Sequence, residues 1–206
     1  MRAVLTDAGE MRSAGAMAII MGIAGAAAAA PSAPAAGPFA LQLRPQFRFA
    51  WNISADGILH ADMSTNETGW LGFGLSPTAF LTFHGMNHAD MVVATWAPSG
   101  ACRVEDYYNP SDFEKAPQLD TALSGTDDVL SYACSHEDGW THARWSRRLS
   151  TGDLSADWNV TQGWNHIILA APAGERELAY HGAKSTAVCE IDFFKGLVKK
   201  ECAIFW

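Results

Sequence analysis

From Phe47 onward the chain consists of short apolar or alternating runs separated by Gly, Asn, Asp and Pro, and no stretch keeps a helical repeat over three turns. That pattern leaves an all-β fold. Phe47-Arg48-Phe49-Ala50-Trp51 alternates large apolar with polar or small residues, and Asp56-Gly57 turns it into a second run, as a hairpin requires. The spacing predicts strands over 47–53, 58–63, 70–75, 91–96, 103–108, 129–133, 140–145, 166–170 and 188–193. These runs suit a two-sheet antiparallel β-sandwich of immunoglobulin-like architecture with about ten strands. Gly72 and Gly74 sit inside one run, where glycine weakens pairing, and so mark a bulge or a close approach by another group. The polar stretch 109–128 reads as a loop with little regular structure.

The N-terminus is of another kind. Ala14 to Ala30 carries no charge, follows Arg12 and ends in a run of small residues, which predicts a signal peptide over 1–30 cleaved near Ala30. Met11-Arg12 opens a better signal than Met1, whose first ten residues include Asp7 and Glu10. The segment is rich in Ala and just short of the ~20 strongly apolar residues of a spanning helix, so no stable membrane span is expected after cleavage. Residues 31–46, with Pro31, Pro34, Pro38 and Pro45, read as an extended Pro/Ala-rich linker. The sandwich is therefore expected over 47–195, followed by a C-terminal tail over 196–206. The apolar finish Ile204-Phe205-Trp206 suggests that the tail docks or that the protein continues beyond it.

A net charge of −8 argues against nucleic acid as a partner. Cys102, Cys134, Cys189 and Cys202 all follow the predicted signal, and an even number in an exported domain suggests two disulfides. Of the three connectivities, Cys102–Cys134 and Cys189–Cys202 are favoured because each staples neighbouring strands. Asn52, Asn66 and Asn159 head N-glycosylation sequons, whereas Asn109-Pro-Ser is blocked by its proline. His84-Gly85-Met86-Asn87-His88 presents imidazole, thioether and imidazole within five residues, a soft set that suits copper. A Ser-His-Asp set, a phosphate loop and a zinc-type HExxH motif are all missing from the sequence. The reading is of a chain without a catalytic domain of its own.

Four features in this order resemble the DOMON domain, the β-sandwich module of dopamine β-monooxygenase-type proteins and of the cytochrome domain of cellobiose dehydrogenases. They are Gly69-Trp70-Leu71-Gly72-Phe73-Gly74, then Gly85-Met86-Asn87-His88-Ala89-Asp90-Met91-Val92-Val93, then Arg148-Leu149-Ser150-Thr151-Gly152-Asp153, and last Gly163-Trp164-Asn165-His166-Ile167-Ile168 followed by Tyr180-His181. The similarity spans about residues 47 to 185. It implies b-type haem held between a Met in the loop after the Gly-Trp strand and a His near the domain's end, positions that Met86 and His181 match. Thioether and imidazole fill both axial positions, which suits electron transfer and raises the reduction potential. Phe73, Leu75, Phe80, Phe83 and Tyr180 are the expected apolar lining. Asp90 is expected to accept backbone or Arg hydrogen bonds, and Arg148 with Asp153 to order a loop, with Arg147 competing.

The resemblance thus implies a secreted b-type cytochrome module that exchanges electrons with an extracellular redox protein. Two other classes stand beside it: a haem-free module binding a small molecule or sugar, with Trp stacking on the rings, and a non-catalytic remnant of a copper monooxygenase.

Overall fold

The computed structural model describes residues 39–77, 86–110, 116–174, 176–182, 185–199 and 202–205. The expected signal peptide over 1–30 and the first part of the expected linker lie outside them. Thirteen strands run through the described residues: β1 (Phe39–Arg44), β2 (Phe47–Ile53), β3 (Ile58–Thr65), β4 (Leu71–Leu75), β5 (Asp90–Trp96), β6 (Cys102–Tyr108), β7 (Gln118–Leu119), β8 (Ser131–Glu137), β9 (Trp140–Arg148), β10 (Asn165–Ala170), β11 (Thr186–Asp192), β12 (Leu197–Val198) and β13 (Ala203–Phe205). They form two antiparallel sheets, a five-stranded one in the order β1-β2-β3-β9-β8 and an eight-stranded one in the order β12-β11-β10-β4-β5-β6-β7, with β13 also on β11.

The two-residue alternation decides what lies between the sheets. On β2, Phe47, Phe49 and Trp51 are buried while Arg48 is exposed. On β4, Leu71, Phe73 and Leu75 meet them from the other sheet, and Ala143 and Trp145 of β9 complete the layer. Phe49 stacks on both Trp51 and Phe73, at 5.4 and 5.2 Å between ring centroids, and Trp145 closes on Phe73 at 5.2 Å. The indole Nε1 of Trp51 donates to the Phe193 carbonyl at 3.0 Å, which satisfies its one polar atom inside the core.

The outer faces differ. That of the five-stranded sheet is polar and paired: Asp62 accepts from Arg144 Nε at 3.1 Å and faces His142 Nδ1 at 3.2 Å, and Arg48 lies 3.8 Å over the Trp140 ring. That of the eight-stranded sheet is apolar, as a second cluster of Trp70, Ala89, Met91, Val93 and Ala170 shows. A sheet apolar on both faces must be covered on both.

Cys102 pairs with Cys134 and Cys189 with Cys202, the expected pairing. The first bond ties β6 of one sheet to β8 of the other across 32 residues, a closure that stabilises by about 3 to 4 kcal/mol in the chain-entropy account.

Two expected boundaries are corrected. Folded structure begins by Phe39, not Phe47, because Phe39-Ala-Leu-Gln-Leu-Arg pairs along β2 and buries Leu43, with proline only at its flanks where an edge strand tolerates it. The sandwich extends past residue 195, because β12 and β13 both pair with β11, and the pairing of β13 is the docking expected of the apolar finish. The expected 109–128 loop contains the two-residue β7 and a 3₁₀ turn over Asp120–Leu123.

Candidate functional site

The glycines of β4 shape the outer apolar face. Gly74 lies between Met91 of β5 and Ile168 of β10, and Gly72 between Val93 and Ala170. A Cβ on Gly74 would stand 2.8 Å from both Ile168 Cγ1 and Met91 Cγ, and one on Gly72 2.8 Å from Trp70 Cζ3. Close approach by neighbouring side chains is therefore what these glycines permit.

Over this face come the turn 86–89 and the segment 176–182. His181 lies beside the Trp70 ring at 6.2 Å, and Tyr180 stacks on His181 at 5.5 Å and 26°. His181 Nε2 stands 3.4 Å from Met86 Sδ. On the other side of the same ring, Nδ1 is 2.8 Å from the Gly182 carbonyl oxygen, which only accepts. In the neutral imidazole the proton therefore sits on Nδ1, and Nε2 turns a bare lone pair towards a thioether that is itself an acceptor. Two electron-pair donors facing each other without a hydrogen between them suit a positively charged centre. The donor chemistry of Met86 and His181 fits a pair that would hold an iron, and the carbonyl behind the imidazole is the orienting contact such a ligand needs.

The turn carrying Met86 is anchored from below. Asp90, fully buried, accepts from Arg147 Nη1 at 2.8 Å and from the Trp158 backbone N–H at 2.8 Å, and Trp158 Nε1 donates to the His88 carbonyl at 2.7 Å. Ala89 N–H donates back to the Met86 carbonyl at 3.2 Å. Asp90 thus has the structural role expected of it. The expected pairing of Arg148 or Arg147 with Asp153 is corrected: Arg148 is exposed, Arg147 is buried against Asp90, and Asp153 accepts from the N–H and hydroxyl of Ser155.

Around Arg147 the carboxylates of Asp90, Asp106 and Asp157 bring oxygens within 4.8 Å of one another. The guanidinium already occupies this cluster as its cation, with Asp157 Oδ2 at 3.7 Å from Nη2. One positive charge does not balance three negative ones. Burial first, and then the charge of Asp90, push the Asp106 carboxyl up to about 8, and the same two causes raise Asp157. The folded protein therefore holds a proton on Asp106 between about pH 4 and pH 8 that the unfolded chain releases, so this group makes stability fall as pH rises through that window. The thermal midpoint is expected to drop between pH 5 and pH 8.5, with a smaller drop in Asp106→Asn. An equal drop in the two proteins would remove Asp106 from the account.

The other expected site residues divide. Phe73 and Leu75 are corrected to core residues, because the strand alternation turns them inward, to the opposite side of the sheet from Met86 and His181. Tyr180 is 83% exposed, so it caps the imidazole and does not wall a pocket. Phe80, Phe83 and His84 lie outside the described residues. The copper set is without support: His88 Nδ1 contacts the Tyr108 hydroxyl at 3.2 Å, with a backbone φ of 55° in the left-handed region. Asn66 and Asn159 are exposed and Asn52 half-buried. Sequence reasoning placed Trp70, Met91, Val93 and Ile168 in strands but not on an outer apolar face, although unbroken apolar runs such as Met91-Val-Val-Ala and Ile167-Ile-Leu-Ala signal strands buried on both faces.

A two-sheet antiparallel sandwich with one apolar outer face, crossed by a Met and a His segment, defines a β-sandwich module. The DOMON domain model matches residues 43–172, and the chain belongs to the DOMON family. Met86 falls within the match and His181 beyond its end. Among solved structures, the chain is similar to the cytochrome b domain of pyranose dehydrogenase from Coprinopsis cinerea, with 13% identity, a TM-score of 0.48, and coverage of 73% of this chain and 78% of that one. No curated protein matches the chain.

Proposed function

We propose that this chain is an extracytoplasmic electron-transfer module that holds b-type haem between Met86 and His181. The observation that carries the reading is the 3.4 Å approach of Met86 Sδ to an imidazole nitrogen whose proton is held on the ring's other side by Gly182. When bound, the group supplies a one-electron couple whose potential the thioether raises. The protein's own residues do the rest. Gly182 fixes the imidazole tautomer, Tyr180 and Trp70 hold the ring plane, and Asp90 with Trp158 sets the height of the Met86 turn. Trp70, Met91, Val93 and Ala170 keep the neighbouring sheet face dry.

Two disulfides fit an oxidising, extracellular setting. Among the described residues no helix is long and apolar enough to cross a membrane. Cleavage near Ala30, glycans at Asn66 and Asn159, and an extracellular redox protein as partner belong to the same proposal.

Titrating the purified chain with haem is expected to give one equivalent bound, a sharp Soret band, and resolved α and β bands on reduction. His181→Ala is expected to abolish them while the far-ultraviolet circular dichroism stays that of the wild type. A titration without a saturating stoichiometry, or one unchanged in His181→Ala, would end the proposal.

A further inference from the structure

We propose that Trp70 positions the carboxylate edge of the bound haem, its indole N–H donating to one propionate. The inference rests on the haem reading and adds to it a residue that tells porphyrins with carboxylates from porphyrins without them. Trp70 immediately precedes β4, and its side chain lies on the outer face of the eight-stranded sheet. A Cβ on Gly72 would stand 2.8 Å from Trp70 Cζ3, so the missing side chain at 72 is what lets the indole lie against the strand. There it packs with Ala89, Met91, Val93 and Ala170 and is only 4% exposed.

The buried members of this cluster are apolar, and the one polar side-chain atom among them, Trp70 Nε1, is buried with no acceptor among the described residues. A buried donor left unpaired carries the full cost of losing its water, and buried indoles ordinarily find a partner. Trp51 shows the ordinary outcome in this chain, because its Nε1 donates to the Phe193 carbonyl at 3.0 Å. Trp145 Nε1 also has no acceptor, but Trp145 is sealed in the layer between the sheets. Trp70 stands instead beside the ligand pair. Its ring centroid is 6.2 Å from that of His181, and Leu178, three residues before His181, packs on the same cluster. A group held by His181 therefore arrives next to this indole.

The chemistry of the missing acceptor follows from what the pair leaves undone. Two axial ligands fix an iron but leave the porphyrin free to turn about their axis. A bonded carboxylate removes that freedom, because the propionates lie on one edge of the ring. An ionised acceptor makes a hydrogen bond about twice as strong as a neutral one, and dry surroundings strengthen it further. Other donors of this face are already engaged: His166, on the same side of β10 as Ile168, faces Glu190 Oε1 at 2.8 Å, and Lys199 Nζ donates to the same oxygen at 3.0 Å. The indole of Trp70 is uncommitted.

The test titrates haem and iron etioporphyrin, the same iron ring with alkyl groups in place of the carboxylates, into the full chain and into Trp70→Phe. The variant keeps an aromatic ring and removes the N–H. It is expected to weaken haem about tenfold and etioporphyrin less than about twofold, with circular dichroism unchanged. Equal loss for both porphyrins would make Trp70 a packing residue, and undiminished haem affinity would deny the contact; either result overturns the proposal. A second measurement needs no variant fold. In nitrogen–proton correlation spectra of the ferrous, diamagnetic wild type, the Trp70 indole proton is expected further downfield with haem than with etioporphyrin. The same position with both would also overturn the proposal. Failure of the haem reading itself looks different, because neither porphyrin would then saturate the wild type at one equivalent, whereas failure of this inference alone leaves both bound stoichiometrically.

Discussion

Asp90→Ala is expected to lower the thermal midpoint by about 10 °C or more, because removing one member of a buried ion pair costs about 3 to 5 kcal/mol and each kcal/mol shifts a domain of this size by roughly 2 to 4 °C. Asp90 is fully buried and receives both the Arg147 guanidinium and the Trp158 N–H. Its loss strands a buried cation and removes the acceptor of the Trp158 amide together. Asp90→Asn keeps an acceptor for Trp158 but not the charge, and should fall between the two. Circular dichroism melts of the three proteins at pH 7 measure this. A midpoint for Asp90→Ala within 2 °C of the wild type would mean that Asp106 and Asp157 ionise and neutralise Arg147 unaided. The same variant frees the turn through Trp158 and His88, so its haem affinity should fall as well.

Met86→His, in the haem-loaded protein, is expected to keep a six-coordinate spectrum while the midpoint potential drops by roughly 0.1 to 0.3 V, a fraction of the ~0.8 V over which axial ligands set potentials. A thioether favours the reduced iron relative to an imidazole, so exchanging one for the other stabilises the oxidised state. Met86 Sδ lies 3.4 Å from His181 Nε2, so the exchanged and the retained atom would both reach the iron they hold. A spectroelectrochemical titration reads the shift. An unchanged potential would place Met86 away from the iron.

The sequence carried the frame of this fold where strands are buried on one face or both. The run from Phe47 to Ile53 emerges with the expected bounds, because Phe47, Phe49 and Trp51 all point to the core and the period is unmistakable. β8 is found over 131–137, whereas 129–133 was expected, since an edge strand with only half-buried or exposed residues leaves no strong alternation to read. β1 is hidden for a related reason: its flanking prolines imitate a linker, and only Leu43 is fully buried. Met86 and His181 were legible through family resemblance, but the tautomer-setting carbonyl of Gly182 is a property of backbone geometry. Arg147 was unforeseeable as a buried residue. Nothing in Trp145-Ser-Arg-Arg says which arginine turns inward, and the strand period answers only once Trp145 is known to face the core.

The most direct measurement is the near-infrared magnetic circular dichroism of the ferric, haem-loaded chain beside that of Met86→Leu, a change that keeps the side chain's volume and removes its sulfur. A sulfur-to-iron charge-transfer band in the wild type, absent from the variant, is the predicted result. A wild-type spectrum without that band, or the same band in both proteins, would contradict the claim that Met86 and His181 grip one iron from opposite sides.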